Sequence, residues 1–186
     1  LDQSDLDLDR GNYSSAADAQ ATLLEQFRAE EVEGMVFEAP EDKVRVAYPG
    51  ERLRIASLGA IEKSDESFRV IHDGTHGVRV NNDVRQRDQL TMPGAPELRT
   101  VVSRAARAGT SCWTVKADFS RAHRRALVRR LDWGLQACRL REGHLWLNRV
   151  GTFGIGTASY WWQRLAAILA RVILCFAERR ELMQLI

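Results

Sequence analysis

Leu58-Gly59-Ala60-Ile61-Glu62-Lys63 and Phe68-Arg69-Val70-Ile71-His72-Asp73, separated by the polar Ser64-Asp65-Glu66-Ser67, decide how this chain folds. Leu53 to Lys63 reads as strand, the four polar residues as a turn, and Phe68 to Ile71 as the returning strand. Lys63 and Arg69 then stand on facing strands, one on each side of the turn. Asp73-Gly74-Thr75 breaks the second strand.

Upstream, Leu1 to Tyr13 alternates Asp with Leu and reads as an extended, solvated lead-in. Ser14-Ser15 can cap a helix that runs to about Glu33, with Leu23, Leu24 and Phe27 on its buried stripe, and Gly34 closes it. Between Pro40 and Pro49, Val44-Arg45-Val46 alternates like a short strand. Downstream, Asn81 to Pro96 is polar and loop-rich. Pro96 to Ala108 forms a helix with Leu98, Val101, Val102 and Ala105 on one face. Trp113 to Asp118 is the clearest strand, and Ser120 starts a short helix to about Arg130. A second hairpin follows, Trp133 to Leu140 and Leu145 to Val150, turning at Arg141-Glu142-Gly143-His144. Gly151, Gly154 and Gly156 form a flexible passage into a helix from Ala158 to about Leu185.

The 186 residues suit one domain, or one domain with a lobe, and 45% hydrophobic residues rule out a disordered chain. The chain starts on Leu1 and ends on Met183-Gln184-Leu185-Ile186 within an apolar helical pattern, so both ends read as cuts in a longer protein. The net charge of +2 hides a division: residues 1–42 carry twelve acids against Arg10 and Arg28, and the remainder carries a surplus of twelve bases. A basic body of that size, mostly Arg, suits a polyanionic partner, although a solvated basic surface has the same composition.

Cys112, Cys138 and Cys175 lie far apart and fit neither a zinc site nor a disulfide framework; a reducing intracellular compartment, cytoplasmic or nuclear, is expected. The acidic N-terminus is no signal peptide, and the best membrane candidate, Leu165 to Ala177, contains Arg171 and falls short of the ~20 apolar residues a span requires. His72 and His76 stand four apart, but Gly74 argues against a helix there and no Glu partner follows, which excludes the zinc-hydrolase pattern. The glycines near Gly151 are not a P-loop, since no Gly-Lys-Ser/Thr occurs.

Asp118 is the chemical pivot. A carboxylate at a strand end, beside a short helix, can ligate a metal; it can equally cap that helix. Four ordered segments weigh on the choice: the hairpin of residues 58–73 with its basic residue before the turn and Arg-x-x-x-Asp after it; Val80-Asn81-Asn82 with Pro93 downstream; Val115-Lys116-Ala117-Asp118-Phe119-Ser120-Arg121-Ala122-His123; and Thr152-Phe153-Gly154-Ile155-Gly156-Thr157-Ala158-Ser159-Tyr160-Trp161. In this order they resemble the reverse-transcriptase domain of retrotransposon-type elements, over roughly Ala19 to Ile186.

The resemblance implies an α+β fold: right-hand polymerase fingers with an incomplete palm, an antiparallel sheet flanked by helices. Residues 1–18 would be an acidic lead-in, 19–89 fingers, 90–126 the first palm part, 127–150 a fingers hairpin and 151–186 a second palm part. The implied activity is template-directed DNA synthesis, in which two divalent ions, Mg2+ or Mn2+, lie about 3.5–4 Å apart. Asp118 would be the catalytic carboxylate and a metal ligand, with the backbone carbonyl of Phe119 beside it. Lys63 and Arg69 would clamp the triphosphate of the incoming nucleotide. His123 would lie under its sugar, where the family usually has Tyr or Phe. Phe153 stands where Gln is often found, and Gly154 would let the backbone approach the nascent base pair. Arg121, Arg124, Arg125, Arg129 and Arg130 would meet template or primer phosphates, unless they form a solvated face. Trp133, Trp146, Tyr160, Trp161 and Trp162 can stack on bases, but most are expected in the core.

The partners implied are an RNA or DNA template with its primer, deoxynucleoside triphosphates and the rest of a polyprotein, with no membrane. The family's second catalytic motif, a pair of adjacent Asp residues, is not found here; no Asp follows Asp132. These residues alone are therefore expected to be inactive. The alternative is a decayed or repurposed element remnant that at most binds nucleic acid.

Overall fold

A computed structural model describes residues 6–64, 67–89, 91, 93–111 and 118–176. The chain is mixed α+β. Two helices, α1 (Ser14–Asp18) and α2 (Gln20–Val32), lead to strand β1 (Val36–Pro40) and helix α3 (Glu41–Ala47). Strands β2 (Ile55–Ala56), β3 (Leu58–Glu62) and β4 (Phe68–His72) follow, then helices α4 (Val80–Asp83) and α5 (Ala95–Arg107). Two 3-10 turns, Ala122–Arg125 and Arg130–Gln136, precede strands β5 (Ala137–Arg141) and β6 (His144–Asn148) and helix α6 (Gly156–Phe176).

Four strands form one sheet in the order β1-β6-β5-β2, mixed and not purely antiparallel as expected, because β2 runs parallel to β5; β3 and β4 form a separate antiparallel pair. The main sheet is covered on both faces because its side chains alternate. Trp146, Cys138, Leu140 and Val36 meet Leu23 and Phe27 of α2, with Phe27 edge-on to Trp146 at 5.3 Å. On the other face Leu145, Leu147 and Ala137 meet Val44 of α3. A fully buried Leu or Phe side chain contributes about 1.5–3 kcal/mol, so these two layers hold the sheet. The hairpin of residues 127–150 thus lies in one sheet with strands from residues 36–56.

The β3–β4 hairpin forms, with Ile61 opposite Arg69 and Glu62 opposite Phe68, but the strand expected from Leu53 to Lys63 is split at Ser57 into β2 and β3, which join different sheets; Asp65 and Glu66 of the turn lie outside the described residues. Several expectations need correcting. Val44-Arg45-Val46 is helix, not strand: Pro40 precedes it, Glu41 and Asp42 fill the first turn, and acids there are favoured by the helix dipole. Trp133 to Gln136 is a 3-10 turn, so strand β5 starts only at Ala137.

The lead-in is not simply solvated. Asp9 forms a parallel bridge with Ile55, and its carboxylate binds Arg139 and Arg45, each at 2.7 Å. Bonding to Arg139, then Arg45, outweighs partial burial and lowers the Asp9 pKa. Helix α5 forms where its periodicity places it, but no residue of it is buried. The strand expected at Trp113 to Asp118 falls outside the described residues up to residue 117, as does α6 beyond Phe176.

Candidate functional site

Strand alternation sorts the β4 side chains. Phe68 and Val70 pack against the core and His72 is buried, whereas Arg69 points to the exposed side. The Arg69 guanidinium carbon lies 5.8 Å from the centre of the Phe153 ring. Phe153 in turn stacks at a tilt on His123, 4.6 Å between centroids and 55° between planes. Residues 54 and 84 positions apart in sequence from Arg69 thus form one exposed-to-half-buried row: guanidinium, phenyl, imidazole.

Three devices hold this row. The His72 backbone N–H donates to the Phe153 carbonyl at 3.0 Å, tying the end of β4 to the glycine passage. Gly154 takes φ +97°, and a Cβ there would lie 1.8 Å from the His72 carbonyl oxygen, so only glycine fits. Asn81 closes the third side. Its amide donates to the Thr75 hydroxyl (2.9 Å) and the Gly154 carbonyl (2.7 Å), and its oxygen accepts from the Gly156 N–H (2.8 Å).

Of the residues expected at a nucleotide site, the fold brings Arg69, His123, Phe153 and Gly154 together. Lys63 is exposed at the end of the same hairpin, where its backbone N–H bonds the Ser67 carbonyl at 2.8 Å. Asp118 is exposed and outside regular structure. Its neighbour Phe119 packs on Trp162 of α6, with centroids 5.4 Å apart, which ties this segment to the helix that follows the glycine passage. Burial lowers the His123 pKa, favouring the neutral imidazole.

The arginine group is split rather than aligned. Arg124 is a correction: it is buried, pairs with Glu30, and donates to the Asn148 side chain at 2.6 Å, so it is not available to a phosphate. Arg121 pairs with Glu33 at 2.6 Å and Arg129 with Asp132 at 3.3 Å. Arg125 and Arg130 are exposed. The single helix expected from Ser120 to Arg130 is interrupted after Arg125, and Leu127 bridges to Val150. Trp146 is fully buried, as core, while Trp161 is about half exposed.

Around the end of β4 the sequence hid two further features. Asp73 accepts from the Tyr13 hydroxyl, from the Thr75 and His76 backbone N–H groups, and from the His76 ring. Burial alone would raise its pKa, but these bonds lower it to about 2. His72 lies inside the core with neither ring nitrogen bonded among the described residues, and burial depresses its pKa to about 4.

Asp118 and the Phe119 carbonyl are hard oxygen donors, the class that Mg2+ and Mn2+ take. The chemistry of these donors fits such an ion as one part of a site; among the described residues no three His, Cys, Asp or Glu side chains gather into a metal cluster. Among the same residues no helix is long and apolar enough to cross a membrane. Neither a protein-family model nor a curated protein matches the chain.

Proposed function

We propose that this chain is the fingers and part of the palm of a retrotransposon-type reverse transcriptase, and that its exposed row binds the incoming deoxynucleoside triphosphate. The observation that carries the reading is the convergence of Arg69, Phe153 and His123, three residues from three of the four resembling segments. Arg69, with Lys63 beyond it on the hairpin, offers positive charge to a triphosphate. The tilted Phe153–His123 pair offers an aromatic surface for a sugar. Partial burial of His123 disfavours its charged form, which leaves Arg69 as the positive group of the row. Gly154 is exposed beside this row, and its backbone would face an approaching base pair.

Asp118 and the Phe119 carbonyl would hold a divalent ion. Bound there, Mg2+ or Mn2+ would neutralise charge on the triphosphate and help activate the primer hydroxyl. With one such carboxylate, these residues hold a nucleotide or a strand but do not join them. Exposed Arg125 and Arg130 would face the phosphates of a primed RNA or DNA template.

The test is titration of the chain with deoxythymidine triphosphate, with and without Mg2+, by calorimetry. Binding should be strengthened by Mg2+, and Arg69→Ala should weaken it about tenfold, the equivalent of one charge-assisted hydrogen bond. Asp118→Asn should abolish the Mg2+ effect. Equal binding by wild type and Arg69→Ala would overturn the assignment.

A further inference from the structure

His123 takes its position from a short stretch of backbone. It lies in a single 3-10 turn, Ala122–Arg125, entered through Arg121 in the left-handed conformation (φ 55°), and its Nδ1 is buried without a partner among the described residues. The next residue, Arg124, is buried. One terminal nitrogen donates to the Asn148 side chain at 2.6 Å and to the Gly151 carbonyl at 3.3 Å; the other bonds the Glu30 carboxylate. Both charged side chains are almost completely removed from solvent, 7% and 12% exposed. The backbone repeats the link: Gly151 N–H donates to the Ala126 carbonyl at 2.8 Å, and a Cβ on Gly151 would lie 2.6 Å from the His123 carbonyl oxygen. Arg124 therefore grips both backbone segments that carry the stack, one residue after His123 and two residues before Phe153.

We propose that Glu30 and Arg124 are a positioning pair for the nucleotide site. From α2, Glu30 fixes the Arg124 guanidinium, and Arg124 fixes the spacing between the His123 turn and the Gly151–Phe153 passage. The inference deepens the nucleotide-site reading and rests on it for its functional half. A buried ion pair is a poor source of net stability, since well-packed apolar residues commonly replace one without loss. Here it does what apolar residues cannot: it bonds one directed carbonyl, at Gly151, while its charge is balanced.

That difference supplies the test. Glu30→Ala strands a buried guanidinium and is expected to unfold the chain, so the informative protein is the double variant Glu30→Met with Arg124→Met, which removes both charges and keeps the volume. Two quantities are read on it once circular dichroism shows it folded. The first is the NMR shift of the His123 ring protons, displaced in the wild type by the current of the Phe153 ring; Phe153→Leu gives the value without that ring. The second is affinity for deoxythymidine triphosphate with Mg2+.

The expected result is a His123 shift moved most of the way to the Phe153→Leu value, with at least tenfold weaker binding. A double variant with the wild-type His123 shift overturns the positioning claim. So does one whose His123 shift moves while nucleotide affinity is unchanged. A wild-type chain that binds no nucleotide overturns the site reading and with it the functional half, and the geometric half then stands or falls on the His123 shift alone.

Discussion

The side-chain amide of Asn81 donates to the backbone carbonyl of Gly154 at 2.7 Å, joining segments 73 positions apart. The same side chain accepts from Gly156 N–H and donates to Thr75, so one residue closes the loop after β4 onto the start of α6. Only an amide offers both the two donors and the acceptor this junction uses. Asn81→Leu should lower unfolding free energy by about 1–3 kcal/mol, the range for leaving such groups without partners. Urea unfolding would show it, and Asn81→Asp, which keeps the acceptor and loses both donors, should also be destabilised.

Gly154 is the tightest backbone position in the site. Its φ of +97° is strained for any L side chain, and the His72 carbonyl occupies the space a methyl group would need. Gly154→Ala should destabilise by about 3 kcal/mol or more, through strain and overpacking together. Gly143, also at positive φ (71°) but open to solvent, is the control: Gly143→Ala should be milder, near 1 kcal/mol. Similar losses at the two sites would contradict the packing described around Gly154.

His72 makes stability depend on pH in a defined window. Its folded pKa is depressed to about 4 by burial, and a free imidazole titrates near 6.5. Between those values the unfolded chain binds a proton that the folded chain does not, so stability falls as pH drops. The contribution is complete above about pH 6.5, declines down to about 4 and levels off below, a change of about 3 kcal/mol. Denaturant melts of wild type and His72→Met from pH 7 to pH 4 would isolate it; the slope should flatten in the variant.

The arginines after Asp118 should separate by salt. Arg125 and Arg130 are exposed, and each Ala substitution should lower the salt dependence of nucleic-acid binding by about one unit of slope. Arg124→Ala should instead lower thermal stability, because it strands the Glu30 carboxylate in the core. Filter binding on a primed template across 50–200 mM salt, alongside melting curves, distinguishes the two effects.

Local pattern made much of the fold legible. The alternation in residues 58–72 and the polar turn specify the β3–β4 hairpin, and the spacing of Leu23 and Phe27 specifies the buried face of α2. Structure departs from local pattern where the pattern is short or where partners are remote in sequence. Val44-Arg45-Val46 alternates over only three residues, and the acids at Glu41 and Asp42, read as part of an acidic segment, were the helix signal. Strand β1 has no local signature, because its partner β6 lies more than a hundred residues away.

In the site, the order of motifs pointed to Arg69, His123, Phe153 and Gly154, but not to what holds them. Nothing near Asn81 or Glu30 in the sequence announces their bonds to residues 154 and 124. Arg124 looked like one of five equivalent arginines, since burial of a charge depends on a counter-charge that sequence proximity does not reveal. Similarly, Asp9 could be read as part of a solvated run until Arg139 and Arg45 were placed beside it.

The most direct measurement is photo-cross-linking of the wild-type chain with a radiolabelled, photoreactive deoxynucleoside triphosphate in Mg2+, followed by peptide mapping. The account predicts adducts on the peptides containing His123 and Phe153, competed away by unmodified nucleotide and lost in Arg69→Ala. Competable adducts confined to other regions, or labelling unchanged in Arg69→Ala, would contradict it.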